Sequence, residues 1–215
     1  MRVVKEAEER KNEILDVAQE MFAAKGFDAT STNDILDRVK IARGTLYYHF
    51  KSKEDILDKL IERITNEAML KSKNIASDKS IPLLDRFSLS IMALNIDTDI
   101  GHEVIQQVHK PQNALMHQKM QEALLSGIVP IITELISEGI KEGIFNTDYP
   151  DVVAEMAMIY SNIAFDELAN VTKGELERKL LGFIVNVERM IGCKEGLMLM
   201  PIMKIFRREN DEVKF

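Results

Sequence analysis

Tyr47, Tyr48 and His49 stand side by side in RGTLYYHFKSKEDIL, residues 43–57, with Arg43, Lys51 and Lys53 close by. Between Arg38 and Lys53 the chain has five basic residues (Arg38, Lys40, Arg43, Lys51, Lys53) and no acidic one, whereas residues 1–37 carry nine acids and five bases. A solvated helix face interleaves both signs, so an acid-free island in a chain of net charge −7 suits a surface that approaches phosphates. The overall acidity excludes a protein that coats nucleic acid by bulk charge. The competing reading has the tyrosines and Phe50 packing a small domain, with the lysines in water.

Other chemistries find little support. The four histidines, His49, His102, His109 and His117, have no cysteine partners, and neither HExxH nor CxxC spacing occurs. Glycine-rich phosphate loops and a serine in a strand-to-helix elbow are missing too. No catalytic residue, metal or cofactor is therefore expected. The lone Cys193 permits no internal disulfide and reads as a small buried hydrophobe in a reducing setting. Neither a signal peptide nor a stretch of bilayer-spanning length is read, so the expected location is the cytoplasm, without a membrane partner.

The elements that must hold the basic island are helices, because apolar residues recur at three and four. Ile14, Val17, Ala18, Met21 and Phe22 predict a helix over about 5–25, which Gly26 ends. Ser31 with Asp34 resembles a capping box and predicts a short helix over 32–39. Arg43 to Phe50 makes a second short helix. A long one follows, capped at Ser52, with Ile56, Leu57, Leu60, Ile61, Ile64 and Ala68 along one side. Successive helical residues point about 100° apart. Leu46 and Phe50 are then the core-facing pair, and Arg43, Gly44, Thr45 and Tyr48 are left toward a groove.

Beyond the polar joint KSKNIASDKS, helices are predicted at about 82–97, 100–109, 112–142, 150–170 and 173–192, with a kink near Pro130. The apolar GLMLMPIMKIF near the end is expected to pack on the body. The domain scheme is a helix-turn-helix domain over 1–52, a connecting helix over 53–80, and an all-helical domain over 81–215.

At this point NDILDRVKIARGTLYYHFKSKEDIL, with the helix before it, resembles the DNA-binding domain of the TetR family of bacterial transcriptional regulators over about residues 10–60. The resemblance implies a three-helix N-terminal helix-turn-helix domain and a larger C-terminal helical domain, in a homodimer that binds a small effector. Carried onto this chain, it places Ser31 or Thr32 at a phosphate through a hydroxyl and a helix N-terminus. Arg43, Gly44, Thr45 and Tyr48 would lie at base edges or the groove wall, and Tyr47, His49, Lys51 and Lys53 would hold the DNA backbone. The family turn commonly has glycine and then a hydroxyl residue or proline as cap, where this chain has Lys40 and Ala42. Lys40 and Arg43 are expected to supply the missing contact.

VVAEMAMIYSNIAF and LLGFIVNVERMI are apolar around most of their circumference, which predicts burial against their own subunit and against a twin. Met156, Tyr160, Ile163, Leu180, Ile184 and Val187 are the expected interface residues. Asn162 and Asn186 would pair across it or with backbone, or else stand at its rim as surface amides. In the middle helices Phe87, Met92, His102, Gln106, Met116 and Met120 are candidates for an effector cavity, since methionine adapts its shape to apolar guests.

The resulting expectation is a ligand-responsive repressor that binds a near-palindromic double-stranded operator and is released by a small, largely apolar effector. The alternative left open by Lys40 and Ala42 is a helical ligand-binding or scaffold protein without sequence-specific DNA binding.

Overall fold

The structure, a computed structural model, describes residues 2–94, 113–166 and 172–206. Among these it consists of helices: α1 (Arg2–Lys25), α2 (Thr32–Val39), α3 (Arg43–His49), α4 (Lys53–Ser77), α5 (Leu83–Met92), α6 (Ala114–Lys141), α7 (Pro150–Asp166), α8 (Lys173–Ile191) and α9 (Leu199–Phe206). The helix predicted at 100–109 lies outside the described residues. The chain forms two units. The N-terminal unit runs to Glu67 and takes in α6 as far as Ala123; the C-terminal unit runs from Ala68 and takes in α6 from Leu124. The units thus divide at other places than the expected 1–52, 53–80 and 81–215.

The N-terminal unit is built around the stripe that the periodicity predicts. Ile14, Ala18 and Phe22 of α1 meet Ile35 and Leu36 of α2, Leu46 of α3, and Ile56, Leu57 and Leu60 of α4. Full burial of such a side chain contributes about 1.5–3 kcal/mol. That matters most for α3, because a helix of seven residues does not persist alone. Leu46 and Phe50, both buried, dock it.

α2 starts at a capping box: the Ser31 hydroxyl accepts from the Asp34 N–H (3.1 Å), and the Asp34 carboxylate accepts from the Ser31 N–H (2.8 Å). The turn after it is made by Lys40, in the left-handed conformation at φ 59°. α3 starts at Ala42 without a side-chain cap.

In the C-terminal unit Phe87, Ile128, Leu135, Phe145, Ile184 and Ile191 belong to one core. Gly139 makes room for the Phe145 ring, since a Cβ there would stand 2.1 Å from Cδ2. α5 is fastened by a polar cluster. The Arg86 guanidinium, 3% exposed, donates to the carbonyls of Ala76 (2.9 Å) and Ile81 (3.1 Å) and to both oxygens of Glu138 (2.9 and 2.5 Å). Lys79 also pairs with Glu138.

One expectation is corrected in α6. Contrary to the reading that no segment reaches bilayer-spanning length, this helix is long and apolar enough to do so by length and composition. Its apolar side chains are used inside the protein: Met116 in the first core, and Ile128, Ile131, Ile132, Leu135 and Ile136 in the second. The helix continues through Pro130.

Candidate nucleic-acid interface

Each face of α3 has its own task. Leu46 points inward, while Arg43, Gly44, Tyr47 and Tyr48, at i, i+1, i+4 and i+5, form an exposed strip on the other side. Tyr48 is 79% exposed, and its ring meets that of His49 edge-on at 5.0 Å. The packing account of the tyrosines therefore fails for Tyr48. Tyr47 is exposed as well, and Thr45 and His49 are half-buried. Around Gly44 a Cβ would find no atom within 4 Å.

Arg43 donates through Nη2 to Oδ1 of Asn33 (2.9 Å), which ties the start of α3 to the first turn of α2. Asn33 was missed in the sequence; its position two residues after the capping serine was the available signal. Lys40 and Lys51 are exposed.

Other expected contacts take different roles. The Ser31 hydroxyl is engaged in the cap, donating to Asp34 Oδ2 at 2.9 Å. Bonds from the Ser31 backbone and then its hydroxyl hold the Asp34 carboxyl below its ordinary range. Thr32, half-buried, is the first residue of α2.

Lys53, expected on the DNA backbone, is turned inward. Its Nζ donates to the Phe27 carbonyl (2.8 Å) and lies 4.1 Å from the centre of the Phe27 ring. The start of α4 carries its own acids too. Asp55 accepts from the Lys51 N–H (2.7 Å), and the Glu54 carboxyl is lowered by its backbone N–H and the Ser52 hydroxyl. A helix N-terminus that already faces two carboxylates does not attract a phosphate as a bare one does.

Lys40 gives a direct test of the turn. A left-handed conformation costs a side-chain-bearing residue roughly 1–2 kcal/mol, which glycine avoids. Lys40→Gly is therefore expected to raise stability by about 1 kcal/mol, while reducing the salt slope of DNA binding by roughly one for each phosphate that the lysine would otherwise neutralise. Urea denaturation and titrations at several salt concentrations read the two effects separately.

The effector candidates scatter. Phe87 lines an apolar cavity of about 70 Å3, with Ile91, Ile132, Met158, Phe183 and Ile202 among the other walls. Met92 is exposed instead. Met116, fully buried, and Met120, packed beside it, belong to the N-terminal core. His102 and Gln106 lie outside the described residues. The other walls were not among the expected cavity residues; the segments around Met158 and Phe183 were expected to be buried against their own subunit and against a twin.

The expected subunit face needs a correction of the same kind. Leu180, Ile184 and Val187 are buried in their own chain's core. Met156, Tyr160 and Ile163 are exposed, and Val152, Ile159 and Leu181 join them. Asn162 is half-buried, and Asn186 donates to the Gly182 carbonyl at 2.7 Å.

Two short helices joined by a tight turn, with an aromatic and basic strip on the second and a long helix on either side, define a helix-turn-helix DNA-binding regulator. The chain belongs to the TetR family of bacterial transcriptional regulators. Residues 14–60 match the family described as bacterial regulatory proteins, tetR family, and residues 97–185 the tetracyclin repressor-like C-terminal domain.

The HTH-type transcriptional repressor KstR2 of Mycobacterium tuberculosis is 35% identical over 82 residues, 38% of this chain; the match spans 41% of that protein's length. The fatty acid metabolism regulator protein of Bacillus subtilis is 30% identical over 141 residues, 61% of this chain and 68% of that protein. The crystal structure of a TetR-family transcriptional regulator from Pectobacterium atrosepticum shares the fold, with TM-score 0.55 at 20% identity over 89% of this chain and 97% of the other. Like its family, the chain is a regulator and not an enzyme.

Proposed function

We propose that this chain represses transcription as a homodimer on a near-palindromic operator and leaves it when a small apolar effector binds the C-terminal unit, in the bacterial cytoplasm. The exposed strip of Arg43, Gly44, Tyr47 and Tyr48, opposite the buried Leu46, carries this reading. Arg38, Lys40 and Lys51, exposed and basic, are suited to the flanking phosphates. The effector acts through its differential affinity for the DNA-competent and DNA-incompetent arrangements, commonly ~1–3 kcal/mol.

The dimer is supported by the uncovered stripe Val152, Met156, Ile159, Tyr160 and Ile163 on α7; Leu181 of α8 is exposed as well. An exposed apolar stripe at helical spacing suits a self-complementary contact about a two-fold axis. Such a dimer offers two copies of α3 to successive major-groove faces.

The test is a gel shift on the chain's own promoter region at several salt concentrations, with sedimentation alongside. Sequence-selective binding with a steep negative salt slope is expected, together with a dimer at micromolar concentration that Ile163→Glu converts to monomer. Binding without sequence preference at every salt concentration would favour a helical ligand-binding protein instead.

A further inference from the structure

We propose that α9 is the yielding wall of the effector cavity: an uncharged hydrocarbon guest enters by lifting this helix, and Ile202 and Phe206 set the size that is accepted. This rests on the C-terminal unit being the effector domain.

The chemistry of the guest follows from the lining. Apart from Ser161, the side chains around the cavity are apolar. The Ser161 hydroxyl is already engaged, donating to the Met158 carbonyl at 3.0 Å. A charged group inside would have no partner, at a large desolvation cost. A hydrocarbon chain or ring loses nothing there.

Size makes the movement necessary. Sites for small molecules commonly enclose about 300–1,000 Å3. At about 70 Å3 this cavity takes only a few atoms unless a wall retreats.

The walls differ in how firmly they are held. α5 is fastened through Arg86 to two carbonyls and Glu138, and α6 and α8 place Ile132, Ile136 and Ile191 deep in the core. α9 adds Ile202 to the same core but has only eight residues, too few to stay helical undocked. Leu199 and Met200 on its outer side are exposed.

Its two ends are also unequal. At the N-terminal end the buried Glu188 carboxylate accepts from the N–H groups of Gly196 (3.0 Å) and Met198 (2.8 Å). The C-terminal end is held by a partly exposed ion pair, Lys204 to Asp85 at 2.6 Å, and by the Phe206 ring, 4.6 Å from that of Phe165. The helix is thus anchored at one end by bonds to a buried carboxylate, and at the other, where Phe206 closes the cavity, by side-chain packing and an ion pair open to water. Lifting that end withdraws Ile202, Ile205 and Phe206 and adds their volume to the site.

The experiment uses the full chain and the uncharged dye N-phenyl-1-naphthylamine, which brightens in hydrocarbon surroundings. Dye titration, hydrogen exchange and operator binding are measured together. The expected result is dye binding with amide exchange of Met200 and residues 202–206 faster by about tenfold or more, while that of α8 stays unchanged. Lys204→Ala, an exposed change that leaves the core alone, should speed dye association several-fold, and Ile202→Ala should tighten binding.

Dye bound with α9 amides unchanged or better protected would overturn the yielding wall and leave the effector domain standing. Failure of the dye to bind the wild type and Lys204→Ala alike would overturn the present inference. Dye that binds and frees α9 but leaves operator affinity untouched would uphold the inference and remove the regulatory reading of the cavity.

Discussion

Replacing Tyr48 and Arg43 together by alanine is expected to abolish operator binding while the protein melts where it did before. Each side chain withdrawn from the groove costs about 1–3 kcal/mol of binding. In the proposed dimer both subunits carry the change, so affinity should fall by ~10³-fold or more. Stability should scarcely move. Tyr48 is 79% exposed, and Arg43 gives up one exposed hydrogen bond, to Asn33. Surface changes of this kind lie within roughly ±0.5 kcal/mol, about 1–2 °C for a chain of this length. Fluorescence anisotropy with the operator, read beside calorimetry, separates the outcomes. A fall in melting temperature of several times that size would show that the strip is structural after all.

The other large effect belongs to Glu138. The bonded Arg86 guanidinium, and after it Lys79, hold its carboxyl down from 4.5 to about 2. A carboxyl whose folded pKa lies below its unfolded value stabilises fully above the unfolded value, and that contribution is lost as protons bind. The window here runs from pH 4.5 down to about 2.

Glu138→Gln removes the charge at every pH and leaves a guanidinium that is 3% exposed with two carbonyls and one neutral amide oxygen as partners. Breaking a buried pair costs about 3–5 kcal/mol; with the Glu138 side chain 20% exposed, the lower end is expected. Urea unfolding at neutral pH and near pH 3 checks both points. The wild type should lose stability between the two, and the variant should lose less. Equal losses would mean that other carboxylates govern the acid limb.

What could be read in the sequence was what is local. Ser31 and Asp34 are three residues apart, Leu46 and Phe50 four, and the stripe from Ile56 to Ala68 lies on one helix, so spacing alone gave the cap, the docked face and the core. Contacts between distant residues leave no such trace. Nothing near Lys53 announces that its ammonium turns to Phe27, 26 residues earlier, and nothing near Arg86 points to Glu138, 52 residues later.

Periodicity also fails where a helix is apolar on two sides. It marked Leu180, Ile184 and Val187 as apolar but could not say which side meets the chain's own core. The outward stripe of α7 was only half found for that reason. Met116 and Met120 went astray similarly: composition suggested an adaptable cavity, whereas α6 begins inside the N-terminal core.

Gly44 shows a demand that the isolated chain does not make. It sits in the first turn of a seven-residue helix, where alanine would be better by about 1 kcal/mol, and no neighbouring atom forbids one. The clearance serves nothing in the fold; on the proposed operator it would let the peptide chain draw up to the edge of a base pair, trading helical rigidity for intimacy with the duplex.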